Sequence, residues 1–234
     1  MHGSDIVLVD DVGAAALRLF EDVMTAAVSA RGRFVAALSG GSTPLPLYRA
    51  LAGRTDLPWQ RSWVFWGDER YVPLDDPESN AGAAFGAFLD AVPVPREQVF
   101  PWPHLDTPET SAKAYAATLE RVLGAALSFD LTLLGLGGDG HTASLFPGTG
   151  AASRPGLTQV VRPPGTALTR LSLGAEVLSR SRVVAFLVQG EGKRSALEAT
   201  LAGEDDIDGH PARAVSARER LVVFTDLADL ATTG

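Results

Sequence analysis

The sequence predicts an α/β fold of three layers, a mostly parallel sheet with helices on both faces. Two observations carry that prediction. Apolar runs of strand length, among them "FVAAL", "SWVFW", "FDLTLL" and "RLVVF", alternate with segments of helical spacing. Several of these runs are apolar throughout, the mark of strands covered on both sides.

Taken in order, Val12, Ala16, Leu19, Val23 and Ala27 recur at helical spacing, and Gly32 is a natural stop, so an amphipathic helix is expected to open the fold. A strand over Phe34 to Leu38 follows, then a Gly/Ser/Thr turn and a helix running to Gly53. "SWVFWGDERYVP" gives a second strand ending at Gly67 and a charged loop after it. The next helix is expected to start at Asn80, capped by its side chain, and to bury Phe85, Phe88, Leu89 and Val92. Pro93 to Pro108 is a proline-rich connection. Thr107 as N-cap and Pro108 at the first helical position then open a helix carrying Ala112, Tyr115, Leu119 and Val122 on one face. "FDLTLLGLG" reads as a central strand; "TQVVRPP" and a strand "TRLSL" come after its loop. A buried strand, Arg182 to Val188, turns into a helix ending near Gly203, and "RLVVFTD" closes the chain before a short helical tail. There is no repeat and no linker, so residues 1–234 are expected to form a single domain.

Hydrophobic residues make up 46% and charged residues 21%, the balance of a soluble globular protein. A net charge of -8 argues against a general nucleic-acid or anionic-membrane binder, yet a single phosphate can still be held by local cations and backbone N–H groups. With no cysteine, disulfides, thiolate metal sites and a cysteine nucleophile are excluded. No leader-like N-terminus and no stretch approaching 18 apolar residues is found, so a cytoplasmic protein is expected.

In sheets of this kind ligands sit beyond the carboxyl ends of the strands, and four places there stand out. In "SGGSTP", Gly40 and Gly41 allow close backbone approach, Ser42 and Thr43 offer hydroxyls, and a helix start supplies free N–H groups. That is a phosphate cradle, or else an ordinary tight turn. In "GDERYVPLDDPESN", Asp68, Glu69 and Arg70 follow a strand and suit a polyhydroxy substrate, unless the loop is merely solvated. In "QGEGKRSAL", Lys193 and Arg194 open a helix, an unfavourable place for cations unless an anion sits between them and the helix end. Arg170 is a further candidate cation, with a plain strand-edge arginine as the alternative.

The fourth place is "LLGLGGDGHTASLFPG", which contains G-x-G-x-x-G at Gly135, Gly137 and Gly140. A dinucleotide-binding turn needs a helix opening at the glycines and an acidic residue roughly 20 positions on. From His141 to Ala175 there is no acidic residue, and Pro147 and Gly148 interrupt any helix, which excludes that reading. What remains is a carboxylate, Asp139, two residues before a histidine, His141, at a strand end. His2 lies at the terminus, His104 in the proline-rich connection and His210 in a polar loop. Neutral imidazole can take a proton from water near pH 7, as a hydrolytic general base must.

Together "ALSGGSTPLPLYRAL", "WGDERYVPLDDPESNAG" and "LGLGGDGHTASLFPG" resemble the 6-phosphogluconolactonases, part of a wider group that includes the glucosamine-6-phosphate deaminases. The resemblance runs in register over most of the chain, including "RLSL" and "QGEGKRSAL", and departs at Gly138, where family members often carry another residue. It implies a Rossmann-like fold of NagB/RpiA type and hydrolysis of 6-phospho-D-glucono-1,5-lactone, the second step of the oxidative pentose phosphate pathway. No metal and no organic cofactor are implied, and the expected form is a monomer whose partner is a small sugar phosphate. By the same resemblance His141 is the base that activates water, and Asp139 orients it or the substrate. Gly40, Gly41, Ser42 and Thr43 hold the phosphate with Arg170 and Lys193, while Asp68 and Arg70 line the sugar end, Arg70 facing the oxyanion. The deaminases carry Asn-Glu-Pro where this chain has Leu145, Phe146 and Pro147, and phenylalanine cannot polarise an imidazole. A non-catalytic sugar-phosphate sensor is a third reading; it would lose the base and add a DNA-binding segment.

Overall fold

The computed structural model describes residues 4–202 and 206–230. Six strands form the main sheet in the order β1 (Asp5–Leu8), β9 (Arg220–Thr225), β8 (Val183–Val188), β5 (Leu131–Gly135), β2 (Phe34–Leu38) and β3 (Ser62–Trp66), with every neighbouring pair parallel. A smaller antiparallel sheet has the order β4 (Asp68–Arg70), β7 (Arg170–Leu173) and β6 (Thr158–Val161). All five residues of β2 and all but the first of β8 are buried, which explains why these runs carry no polar alternation.

Successive side chains on a strand point to opposite faces, so Phe34 and Phe65 address different layers. Phe34, on β2, meets Phe20 of α1 (Val12–Arg31) edge-on, with centroids 5.2 Å apart. Helix α1 is capped by Asp11, whose carboxylate accepts from Ala14 N, and it ends at Gly32, where φ is +73°. Helix α2 (Leu45–Leu51) packs beside it on the same face. On the other face α4 (Pro108–Leu123) brings Tyr115 against Phe65 of β3, and the Tyr115 hydroxyl bonds both N and O of Trp66. Helices α3 (Asn80–Ala84), α5 (Ala175–Ser179) and α6 (Arg194–Leu201) complete the layers, and one apolar core runs through them.

Five expectations need correction. The chain opens with β1 rather than α1; this four-residue edge strand leaves Ile6 and Leu8 exposed, so it lacks the burial pattern of the other strands. The charged triplet Asp68–Arg70 is a strand, β4, paired antiparallel to β7. Helix α3 is capped by Ser79, whose hydroxyl accepts from Gly82 N, because the Asn80 side chain is turned into the protein; its apolar face continues as a π-helical turn over Phe85–Leu89. "RLSL" pairs with β4 and "TQVV" with "RLSL", forming the second sheet instead of joining the first. Residues 226–230 after β9 are not helical. The expected helix end at Gly203, like His2, lies outside the described residues.

One buried carboxylate ties the sheet to α1. Asp130, just before β5, accepts from Val35 N at 2.8 Å and from Arg31 Nη2 at 2.8 Å and Nε at 3.1 Å. Replacing it strands a buried N–H on β2. Asp130→Ala is expected to cost about 2–4 kcal/mol in chemical denaturation, and a loss below about 0.5 kcal/mol would contradict that role.

Candidate active site

Strands β2 and β5 are neighbours, but the chain leaves them in opposite directions, from β2 toward β3 and from β5 toward β8. Their carboxyl ends therefore border a crevice, the place where such sheets bind ligands. A cavity of about 220 Å³ opens there. It is lined by the turn Ser39–Pro44, by Asp68 and Arg70 of β4, by Asn80, by Gly135–Gly137, His141 and Ala143, and by Lys193.

The turn after β2 is held from below. The hydroxyl of Tyr48 accepts from Ser39 N at 3.1 Å and donates to Ser39 O at 2.6 Å, and this buried phenol lies well above its ordinary pKa because of its burial. Gly41 adopts φ +86°, which favours glycine there. Gly40 is required for another reason: a Cβ there would lie 1.8 Å from Asn80 Oδ1.

The loop after β5 explains its own glycines. His141 Nδ1 is 2.6 Å from Asp139 Oδ1, and the same oxygen accepts from His141 N at 3.1 Å. A Cβ on Gly137 would fall 2.1 Å from that Nδ1 and 2.5 Å from Asp139 Oδ1, so the glycine makes room for the pair. Burial pulls the Asp139 carboxyl upward, but His141's backbone N–H, its charge and its side-chain hydrogen bond outweigh this and leave it below the ordinary range. An ionised carboxylate only accepts hydrogen bonds, so Nδ1 carries a proton, and in the neutral ring Nε2 is the nitrogen with the lone pair. One face of the ring stacks on Phe146, at 4.3 Å between centroids.

Asp68, on β4, is almost fully buried and takes a 2.5 Å hydrogen bond from Ser144 Oγ. Its carboxyl is raised above the ordinary range by burial, against the pull of Ser144, Arg70, His141 and Arg170. Next to it Glu69 points away from the cavity and accepts from Arg70 N, Asn80 N, Ala81 N and Ser79 Oγ, locking β4 onto the start of α3. Arg70 donates to Glu78 O. In the β4–β7 register Arg70 stands opposite Arg170, whose buried Nε and Nη1 have no hydrogen-bond partner among the described residues. Burial, with Arg70 second, holds that guanidinium below its ordinary value.

Of the residues marked from sequence, Gly40, Gly41, Ser42, Thr43, Asp68, Arg70, His141 and Lys193 line this one cavity. Asp139 reaches it through His141, and Arg170 is one strand away from Arg70. Arg194 does not reach it; its guanidinium is taken up by Glu191 and the carbonyl of Ala228. Asn80, Ser144 and Tyr48 were missed. All three lie within quoted motifs, but Asn80 passed for a helix cap, Tyr48 for a helix residue and Ser144 for a loop hydroxyl.

This arrangement defines a class: an α/β protein that places an oriented imidazole and a glycine-rich turn on one crevice. The family model described as "Glucosamine-6-phosphate isomerases/6-phosphogluconolactonase" matches residues 9–224. The chain is 44% identical over 209 residues to a 6-phosphogluconolactonase of Synechocystis, covering 87% of this chain and 86% of that one, and 39% identical over 221 residues to one of Nostoc, covering 92% and 91%. The crystal structure of a 6-phosphogluconolactonase from Thermotoga maritima superposes with a TM-score of 0.85 at 29% identity, over 95% of this chain and 99% of that one. The chain belongs to the glucosamine-6-phosphate isomerase/6-phosphogluconolactonase family.

Asp68 yields a stability test. A carboxyl raised in the folded chain is harder to ionise there than in the unfolded chain, so its charge opposes folding above the folded pKa. That cost vanishes below the ordinary range, where both states are protonated. Asp68→Asn is thus expected to raise the Tm at about pH 8, with the gain fading by about pH 4. A gain that does not change with pH in thermal melts would contradict the assignment.

Proposed function

We propose that this chain hydrolyses 6-phospho-D-glucono-1,5-lactone to 6-phospho-D-gluconate, as a family member of the lactonase rather than the deaminase kind. The observation that carries the proposal is His141, held by an ionised Asp139 at Nδ1 on the same cavity as the turn Gly40–Thr43, with Phe146 in place of a carboxylate on its ring face. The substrate's phosphate lies on Gly40, Gly41, Ser42 and Thr43, with Lys193 and Arg170 as cations. His141 Nε2 takes a proton from water as the hydroxide adds to the C1 carbonyl. Arg70 faces the resulting oxyanion and Asp68 the sugar hydroxyls. Collapse breaks the bond between C1 and the ring oxygen, which receives the proton back from the imidazolium. The product acid then ionises. We take the enzyme to be a cytoplasmic monomer built as one domain, with no nucleic-acid or membrane partner; no helix among the described residues is long and apolar enough to cross a membrane.

A stopped assay on freshly generated lactone, run beside glucosamine 6-phosphate, tests the proposal. Accelerated loss of the lactone with no ammonia from the amino sugar is expected; ammonia release without lactone hydrolysis would overturn it. His141→Ala is expected to lower turnover by at least ~100-fold with the fold intact by circular dichroism, and near-wild-type turnover would remove the histidine from the mechanism. For Lys193→Ala the expected change is a KM higher by roughly 10-fold with a smaller change in kcat, since a charge-assisted phosphate contact mainly contributes binding. An unchanged KM would move the phosphate elsewhere.

A further inference from the structure

We infer that Asn80 is a specificity-determining residue whose side-chain oxygen accepts a hydrogen bond from one hydroxyl of the sugar lactone. The inference deepens the lactonase proposal and rests on it.

Asn80 sits at the first position of α3 and is 4% exposed, yet it lines the cavity together with Gly40 and Asp68. Its backbone N–H is spent on Glu69 Oε1 at 2.7 Å, which fixes where the side chain starts. The amide's sense is fixed by a second contact, Nδ2 to the backbone carbonyl of Asp68 at 3.1 Å. Only the NH2 end can face a carbonyl, so the oxygen must occupy the other side. That Oδ1 is buried and has no hydrogen-bond partner among the described residues. Buried polar atoms in folded proteins are paired in the great majority of cases, so an orphaned acceptor on a residue that lines the cavity marks where a donor belongs.

Gly40 bears on the same point. A side chain there would collide with the whole Asn80 amide, at 1.8 Å from Oδ1, 2.1 Å from Cγ and 2.5 Å from Nδ2. Glycine at position 40 thus lets the amide stand against the turn that forms the phosphate cradle. The chemistry then narrows the ligand group. Oδ1 accepts and cannot donate, whereas the phosphate oxygens, the ring oxygen and the lactone carbonyl are themselves acceptors. Among the atoms of the lactone only the three hydroxyls, on C2, C3 and C4, can satisfy it. A site built around such a contact discriminates against the analogue that lacks the hydroxyl, because the buried acceptor is then left unpaired. The competing account gives Asn80 a purely structural duty, holding the Asp68 carbonyl.

The test measures kcat/KM of the wild type and of Asn80→Ala on the parent lactone and on its 2-, 3- and 4-deoxy analogues. The wild type is expected to lose about 10- to 100-fold on one analogue. Asn80→Ala is expected to lose a comparable factor on the parent, and no more than about 2-fold further on that same analogue, while its losses multiply on the other two. Losses that multiply on all three analogues, in a wild type that does hydrolyse the parent, would overturn the inference and leave the lactonase proposal standing. A wild type that fails to hydrolyse the parent lactone would overturn both. Should Asn80→Ala not fold, Asn80→Ser takes its place in the same comparison, and wild-type rates on all three analogues within about 2-fold of the parent would overturn the assignment.

Discussion

The structure depends on the parallel pairing of β2 with β5, in which Ala36 lies opposite Leu131 and Ala37 opposite Thr132. Residues almost 100 positions apart become neighbours, and the turn after one strand meets the loop after the other. Asp130 reinforces the junction by bonding Val35 N on β2 and Arg31 on α1 from the residue before β5. The crevice follows from topology: the chain departs from the two strands in opposite directions, and a cavity opens beyond their ends. The second sheet then supplies one wall. Leu173 N bonds Gly67 O and Gly67 N bonds Leu38 O, so β4 and its charged side chains are carried on the end of the main sheet.

Around this crevice the chain tolerates groups that a core would reject. Asp68 and Glu69 are both raised by burial, and the buried Nε and Nη1 of Arg170 have no partner among the described residues. Each group opposes folding in its ionised or unpaired form, and the continuous apolar core offsets the cost. Ala143, on the cavity wall, adds a positive φ of 46° outside glycine. Two glycines serve the site by absence of a side chain, Gly137 beneath the Asp139–His141 pair and Gly40 against Asn80. The G-x-G-x-x-G pattern that suggests a dinucleotide site is, in this chain, the spacing that lets a carboxylate and an imidazole share one short loop.

Much of this was legible because it is local. β2, β3, β8 and β9 carry continuous apolar runs and β5 is broken only by Thr132, α1 and α4 announce themselves by spacing and caps, and the cradle and Asp139–His141 motifs sit directly after strands. What escaped depends on pairing between distant segments. Asp68-Glu69-Arg70 carries three charges and reads as solvated; only the antiparallel register with β7 makes it a strand with two of its residues buried. Ser79 and Asn80 are both good caps by composition, and the choice falls to Ser79 because Asn80 is claimed by the Asp68 carbonyl. Ser144 is one more small polar residue until the fold brings it to Asp68, 76 positions away. The edge strand β1 is an apolar run too short to declare itself, and its pairing with β9 makes it a strand.

The central claim is that the cradle after β2 and the imidazole after β5 hold two ends of one sugar phosphate. A crystal structure with 6-phosphogluconate bound tests it most directly. The phosphate is expected on the backbone of Gly40–Thr43, with a C1 carboxylate oxygen within about 3.5 Å of His141 Nε2. A product bound with its phosphate against His141, or bound outside the β2–β5 crevice, would contradict the account.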